Sequence, residues 1–176
     1  MIFTETRLKG AYVIDPERLA DERGFFARMW CQREFEAHGL NPGLAQCNIS
    51  FNHKRGTLRG MHYQVAPHAE AKLVRCTAGT IYDVVVDLRA GSGTFKQWFA
   101  VELSSENRRM LYVPEGLAHG FLTLTDAVEV FYQMSEFYAT DCAHGVRWND
   151  LAFGIRWPFE ATMISDRDRA YPDFTL

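Results

Sequence analysis

Short segments in which apolar and polar residues alternate run along most of the chain. They are rich in β-branched and aromatic residues, and such alternation over about four to eight residues is typical of half-buried strands. Turn-forming residues separate them, and one helix is predicted over residues 32–38, ended by Gly39. Strands are predicted over residues 45–51, 58–64, 72–76, 80–88, 97–103, 110–113, 120–124 and 128–134.

So many strands with short connections, and almost no helix, predict an antiparallel all-β fold. We expect a jelly roll or small barrel that forms a single domain over residues 1–176. Residues two apart in a strand point to the same face, so His62 and Gln64 share one face, and Lys72 shares a face with apolar neighbours. On two other strands, Asn48 and Tyr132 likewise share a face with the residues two positions away. Polar side chains among apolar ones on inner faces predict a ligand cavity.

Composition and charge exclude several classes of protein. The chain is 47% hydrophobic and 14% aromatic, which is enough for a packed core and excludes a disordered chain. The net charge is −3, from 19 basic and 22 acidic residues, so no broad basic surface is available for nucleic acid or membranes. No apolar run approaches the ~18 residues of a spanning helix, and the first residues do not resemble a signal peptide. We expect a cytoplasmic protein that binds neither nucleic acid nor membrane.

The cysteines are spread widely along the sequence and form no Cys-x-x-Cys pair. In a cytoplasmic chain they are expected to be free thiols, and none is assigned a chemical role. They are Cys31, Cys47, Cys76 and Cys142.

Two motifs end in histidine. His62 ends a Gly-x5-His motif, which opens the first motif of the cupins, and His119 ends a Pro-x-Gly-x2-His motif, the second. A metal-binding cupin continues from the first histidine as His-x-His and then a glutamate. Here Gln64 occupies the second histidine position, and Glu70 is out of register. Because transition metals need about three or four such ligands, no metal site is predicted.

A longer series of motifs resembles one family. From about residue 10 to residue 169, its order and spacing resemble the dTDP-4-dehydrorhamnose 3,5-epimerases, which are cupin-type nucleotide-sugar epimerases. The resemblance implies a cupin-like jelly roll that has one or two short helices, forms a homodimer and uses no metal or other cofactor. The motifs are Arg-Gly-Met-His-Tyr-Gln at 59–64, Lys-Leu-Val-Arg at 72–75, Asp-Leu-Arg at 87–89, Pro-Glu-Gly-Leu-Ala-His-Gly-Phe at 114–121, Gly-Val-Arg-Trp-Asn-Asp at 145–150 and Ser-Asp-Arg-Asp at 165–168.

The substrate that this resemblance implies is a nucleotide linked to a 4-keto-6-deoxyhexose. The C4 carbonyl acidifies the hydrogens on C3 and C5, because the carbanion left by deprotonation is an enolate. Inversion then needs a base on one face of the ring, a group that stabilises the enolate oxygen, and an acid on the other face.

By the resemblance, four residues carry this chemistry. His62 is the general base, since imidazoles exchange protons near neutral pH. Asp168 holds its other ring nitrogen and stabilises the imidazolium. Lys72 is the cation beside the enolate oxygen, and Tyr132 is the acid that reprotonates the carbanion from the opposite face.

The resemblance also implies a set of substrate-binding residues. Arginine forks suit pyrophosphate oxygens, polar side chains suit the sugar, and aromatic rings suit the nucleobase. The set comprises Arg23 and Arg59 at the pyrophosphate, Gln46 and Asn48 at the sugar and nucleotide, His119 as the second histidine of the pocket, Phe26 and Tyr138 at the base, and Arg167 of the 165–168 motif.

Three positions depart from the family pattern. Arg28 and Ala143 stand where glutamates are usual, and Cys47 stands where an aspartate is common. Since the catalytic positions are retained, we interpret these changes as retained epimerisation of a substrate with a different nucleotide or sugar.

The sequence leaves several alternatives open. One is an enzyme that inverts only C3 or only C5, and another is an epimerase of CDP- or GDP-linked sugars, because the same base and enolate serve each case. A metal-dependent cupin oxygenase or isomerase would use His62 and His119. A non-catalytic cupin would bind a nucleotide sugar without proton exchange.

Overall fold

The computed structural model describes residues 1–175 as two mainly antiparallel β-sheets with a common core. In chain order the elements are β1 (Ile2–Glu5), β2 (Tyr12–Asp15), β3 (Leu19–Asp21), β4 (Gly24–Phe26), α1 (Gln32–Ala37), β5 (Gln46–Asn52), β6 (Thr57–Gln64), β7 (Lys72–Ala78), β8 (Thr80–Asp87), β9 (Trp98–Ser104), β10 (Met110–Val113), β11 (Leu117–Thr123), β12 (Val128–Met134), β13 (Ala143–Gly145), β14 (Met163–Ile164) and α2 (Asp166–Arg169).

The first sheet has the strand order β1-β2-β10-β7-β12-β5. The second has the order β13-β6-β11-β8-β9, and β14 pairs in parallel with β6. Strands β3 and β4 form a separate hairpin. Neighbours along the chain thus often lie in different sheets, as in a jelly roll.

The prediction of an all-β, cupin-like jelly roll with one or two short helices is confirmed. Strands β5 to β12 correspond to the predicted ones, and α1 corresponds to the predicted helix. The largest difference in a strand start is at β11, which begins at Leu117 instead of residue 120. This strand is buried on both faces between β6 and β8, so its first residues do not alternate.

The pattern missed six short strands, β1 to β4, β13 and β14. Each has two to four residues, which is too few to show alternation. Neither of the α-helices within residues 1–175 is long and apolar enough to cross a membrane.

Apolar side chains from both sheets meet in a central core. Val74 and Val130 enter it from the first sheet, and Val85 and Phe121 enter it from the second. Two further apolar clusters lie apart from this core. One contains Phe35 of α1 and residues of the first sheet, and the other contains C-terminal residues and residues of the second sheet. Val130 and Phe121 also line a cavity, so the cavity continues directly from the core between the sheets.

Candidate active site

A cavity of about 420 Å³ opens between the two sheets. Strands β5, β7 and β12 contribute to one wall, and β6 and β11 contribute to the other. Most of the site residues predicted from the sequence line this cavity. They are Arg59, His62, Lys72, His119, Tyr132, Tyr138 and Arg167.

His62 is held by a buried carboxylate behind the cavity wall. Its Nε2 lies 2.7 Å from Oδ1 of Asp168, the third residue of α2, whose helix is capped by Ser165. The Gly60 N–H donates to the other carboxylate oxygen at 3.2 Å. Burial opposes ionisation of Asp168, but the hydrogen bonds from His62 and Gly60 outweigh it and hold its pKa below the usual value. Since Nε2 is engaged by an ionised carboxylate, proton transfer to a ligand would use Nδ1 of His62.

A second histidine–aspartate pair lies beside the first. Strands β6 and β11 bring His119 opposite His62, and His119 Nε2 is 2.7 Å from Oδ1 of Asp83 on β8. Asp83 is fully buried, and burial raises its pKa although the His119 ring opposes the rise. Asp83 was not among the site residues predicted from the sequence. A signal was available, because an aspartate within the apolar run of β8 requires a buried partner.

Lys72 and Tyr132 face the cavity from the other sheet. Lys72 pairs across the strands with Met134, and Tyr132 lies two residues from Met134 on the same face. Lys72 Nζ is 2.7 Å from Oε1 of Glu70. In the sequence, Glu70 was noted only as being out of register with the glutamate of metal-binding cupins. Burial, and then the charge of Glu70, raise the pKa of the Tyr132 phenol, and nearby Arg59 lowers it less. The phenol is thereby kept in the protonated form that an acid needs.

Gln46 and Asn48 do not line the cavity. Oε1 of Gln46 accepts a hydrogen bond from the Tyr138 N–H at 2.6 Å, and Nδ2 of Asn48 donates to Sδ of Met134 at 3.3 Å. Tyr138 and Met134 do line the cavity. Gln46 and Asn48 lie directly across the strands from Met134 and Tyr132 and support the cavity wall, and their contact with a ligand stays a prediction.

Gln64, at the position of the second metal-cupin histidine, also supports the wall. Its Nε2 donates to the Phe137 carbonyl at 3.2 Å, and its Oε1 accepts from the Ala139 N–H at 2.8 Å. The segment that carries Tyr138 is thus tied to β6 on both sides of that residue. Across the described chain, 1–175, no group of three or more His, Cys, Asp or Glu side chains is arranged as a metal site.

Arg23 and Phe26 lie on the β3–β4 hairpin and do not line the cavity of their own chain. Their side chains are strongly exposed, 84% for Arg23, and Phe26 as a residue is 67% exposed. The hairpin itself is anchored, because the Phe25 ring lies 5.0 Å from the guanidinium carbons of both Arg18 and Arg108. A single chain therefore does not bring these two predicted residues to the site.

Only one of the three departures from the family pattern lies at the cavity, namely Ala143. Arg28 forms an ion pair with Glu34 at 3.3 Å, and Cys47 is exposed on β5. Within one chain, neither Arg28 nor Cys47 lines the cavity, and the interpretation of all three as changes on the nucleotide side stays a prediction.

The fold and the site define a jelly-roll protein with acid–base groups on opposite walls of one cavity. Residues 5–175 match the family model described as dTDP-4-dehydrorhamnose 3,5-epimerase. The chain belongs to the dTDP-4-dehydrorhamnose 3,5-epimerase family, and the resemblance predicted from its motifs is confirmed.

Individual relatives extend this likeness over nearly the whole chain. The dTDP-4-dehydrorhamnose 3,5-epimerase of Shigella flexneri is 42% identical over 165 residues, which are 93% of this chain and 91% of the relative. A crystal structure of the Bacillus anthracis enzyme with TDP and PPi bound has a TM-score of 0.94 and 41% identity, covering 98% of this chain and 99% of that one. A 3′-monoepimerase from Streptomyces bikiniensis in complex with dTDP-quinovose has a TM-score of 0.87 and 36% identity, covering 96% and 85%.

Proposed function

We propose that the protein is a nucleotide-sugar epimerase that inverts C3 and C5 of a nucleotide-linked 4-keto-6-deoxyhexose and needs no metal or other cofactor. The observation that carries this proposal is the His62–Asp168 pair on one sheet, which shares a single cavity with Lys72 and Tyr132 on the other. Membership of the family supports the class of substrate.

Groups on the two walls of the cavity carry out different steps of the inversion. A pyranose between the sheets presents one face to His62 and the other to Tyr132. Nδ1 of His62 takes the proton from carbon, and Asp168 stabilises the imidazolium that forms. The electrons move onto the C4 oxygen, where the Lys72 ammonium stabilises the enolate. Tyr132 then donates its phenolic proton from the opposite face; solvent restores the proton on Tyr132 and removes the one from His62.

The basic and aromatic side chains of the cavity suit the nucleotide. Arg59 is held by a 2.8 Å hydrogen bond from its Nε to Asn52, and Arg167 donates from its Nε to the Tyr171 hydroxyl at 3.0 Å. Both guanidinium groups suit pyrophosphate oxygens, and Tyr138 is suited to stack on the base. We propose dTDP as the nucleotide because the named relatives are dTDP-sugar enzymes.

We further propose a homodimer in which the hairpin of one chain brings Arg23 and Phe26 to the cavity of its partner. Strand β5 is the edge of the first sheet, and its exposed apolar side chains Ile49 and Phe51 line the cavity. An uncovered apolar edge favours pairing with another chain. The hairpin offers exposed apolar side chains of its own, including Leu19 and Phe26.

A cytoplasmic location is proposed with this function. All four cysteines lie within residues 1–175 and are free thiols there, which suits a reducing compartment.

Proton exchange with solvent tests the function directly. The protein is incubated in D2O with dTDP-, CDP- and GDP-linked 4-keto-6-deoxyhexoses, and the ring protons are followed by NMR. We expect deuterium at both C3 and C5 of the dTDP sugar, and no exchange with a His62→Asn variant that still binds it. Absence of exchange with every nucleotide would refute the proposal.

A single-centre epimerase is the second candidate, favoured by the likeness to the S. bikiniensis monoepimerase. It predicts deuterium at only one of the two carbons in the same experiment. If only the CDP- or GDP-linked sugar exchanges protons, the proposed epimerisation stands and the proposed nucleotide, dTDP, is wrong.

A further inference from the structure

A buried ion pair lies in the wall of the cavity. Glu70, in the loop before β7, contacts the Lys72 ammonium at 2.7 Å, and the side chains are only 4% and 11% exposed. Both residues line the cavity. Replacing a buried ion pair by apolar residues is often neutral or stabilising, so stability alone does not account for this pair. Its position beside the proposed enolate site indicates a role in the chemistry.

Lys72 also lies within the electrostatic field of a second carboxylate, Asp83, on the opposite sheet. Oδ1 of Asp83 is engaged by His119, and its buried Oδ2 has no hydrogen-bond partner among the described residues. A lysine side chain has a long and flexible stem. Without Glu70, the ammonium would be drawn toward Asp83 and away from the position that it now occupies.

Glu70 is in turn held by few contacts. Its Oε2 is buried and has no hydrogen-bond partner within residues 1–175, so the Lys72 contact is what anchors the carboxylate. The two side chains therefore fix one another. Tyr132 is close enough to Glu70 to be affected by its charge, which places the pair beside the proposed acid as well.

We infer that Glu70 is a positioning residue for Lys72: its carboxylate holds the ammonium at the cavity surface, beside Tyr132, instead of leaving it to pair with Asp83. The inference rests on the proposed epimerisation and adds a residue to it. An ammonium stabilises the enolate only from a preorganised position, and a misplacement of about 1 Å can cost on the order of a hundredfold in rate.

The effect should fall on kcat, because the charge that Lys72 stabilises develops in the transition state. We expect Glu70→Ala to lower kcat by about tenfold to a hundredfold while KM changes by less than about threefold. Glu70→Gln should lose less, since its amide oxygen still accepts a hydrogen bond from the ammonium. The Gln variant also carries the test if the Ala variant does not fold.

A double-mutant cycle with Lys72→Met separates positioning from a general structural role. In the Lys72→Met background, removal of Glu70 should cause no further loss of kcat. The matched control is Asp15→Asn, which removes the carboxylate of the Asp15–Arg109 pair, 2.8 Å apart and outside the cavity. Its kcat should equal that of the wild type.

Two results would overturn the role of Glu70. One is an unchanged kcat in both Glu70 variants, and the other is an equal loss in the presence and absence of Lys72. If the unsubstituted protein exchanges no sugar protons at all, the proposed function itself fails, which is a separate outcome.

Discussion

The two cavity histidines differ in how their aspartates are held. Asp168 receives a hydrogen bond from the Gly60 N–H in addition to that from His62, and its pKa is lowered. Asp83 has one oxygen without a hydrogen-bond partner among residues 1–175, and its pKa is raised by complete burial. An ionised carboxylate stabilises an imidazolium better than one that resists ionisation. Of the two carboxylates, Asp168 is therefore the better suited to stabilise an imidazolium.

Tyr132→Phe tests the acid while preserving the packing of the ring. Loss of the phenol should lower the rate of full inversion by about a hundredfold or more, because general acids typically contribute about 10²- to 10⁴-fold. Removal of the carbon-bound proton by His62 should continue in part. NMR in D2O measures both: solvent exchange should persist while inverted product accumulates slowly.

The control for this variant is Tyr112→Phe, a buried tyrosine of the cluster around α1 whose hydroxyl accepts from the Asn41 N–H at 2.9 Å. It should retain the wild-type rate of inversion. Inversion by the Tyr132→Phe protein at the wild-type rate would show that the phenol is not the acid of the mechanism.

At the scale of elements, β6 and β11 approach each other closely next to the two histidines. Gly60 has a φ of +139°, and a Cβ there would lie 2.5 Å from the Cα of Gly120. The strand register shifts between His119 and Phe121, next to this contact. The absence of two side chains is therefore what lets the strands meet beside His62 and His119.

Gly60→Ala should force the two strands apart. We expect a loss of about 1–3 kcal/mol in the free energy of unfolding from overpacking, with backbone strain in addition. Activity should fall further than stability explains, because the Gly60 N–H also holds Asp168. Denaturant unfolding and the rate of sugar-proton exchange measure the two effects.

Gly93→Ala is the matched control, since a Cβ there meets no atom within 4 Å and its φ is not positive. Its stability should change by less than about 1 kcal/mol and its activity should remain. Equal behaviour of the two variants would contradict the close-approach explanation.

At the scale of the whole molecule, the proposed dimer divides each site between two chains. Arg23→Ala and His62→Asn proteins should each be impaired, because every site lacks one group. If the chains are mixed and allowed to exchange, about half of the dimers are mixed, and each of these has one intact site of two. Activity should therefore recover to about one quarter of the wild-type value.

The control mixture combines His62→Asn with Lys72→Met, whose altered residues line the cavity of the same chain. No site in that mixture is complete, so activity should not recover. Failure of the first mixture to recover, or a monomeric mass in solution, would contradict the shared site.

The sequence by itself determined the all-β class, the strands β5 to β12 and the family. Period-two alternation is a local property of a half-buried strand. The spacing of motifs can likewise be read along the chain without knowing which residues are in contact. It also predicted His62, Lys72 and Tyr132 as site residues, and the fold brings all three to one cavity.

The motifs paired Asp168 with His62, but only the tertiary structure decided the other partners. Asp83 meets His119 because β8 and β11 are neighbours in the second sheet, although they are far apart in sequence. The hairpin, which leaves Arg23 outside its own cavity, likewise has a contact between residues distant in the chain, that of Phe25 with Arg108. Such pairings depend on sheet order and burial, which alternation along a single strand does not encode.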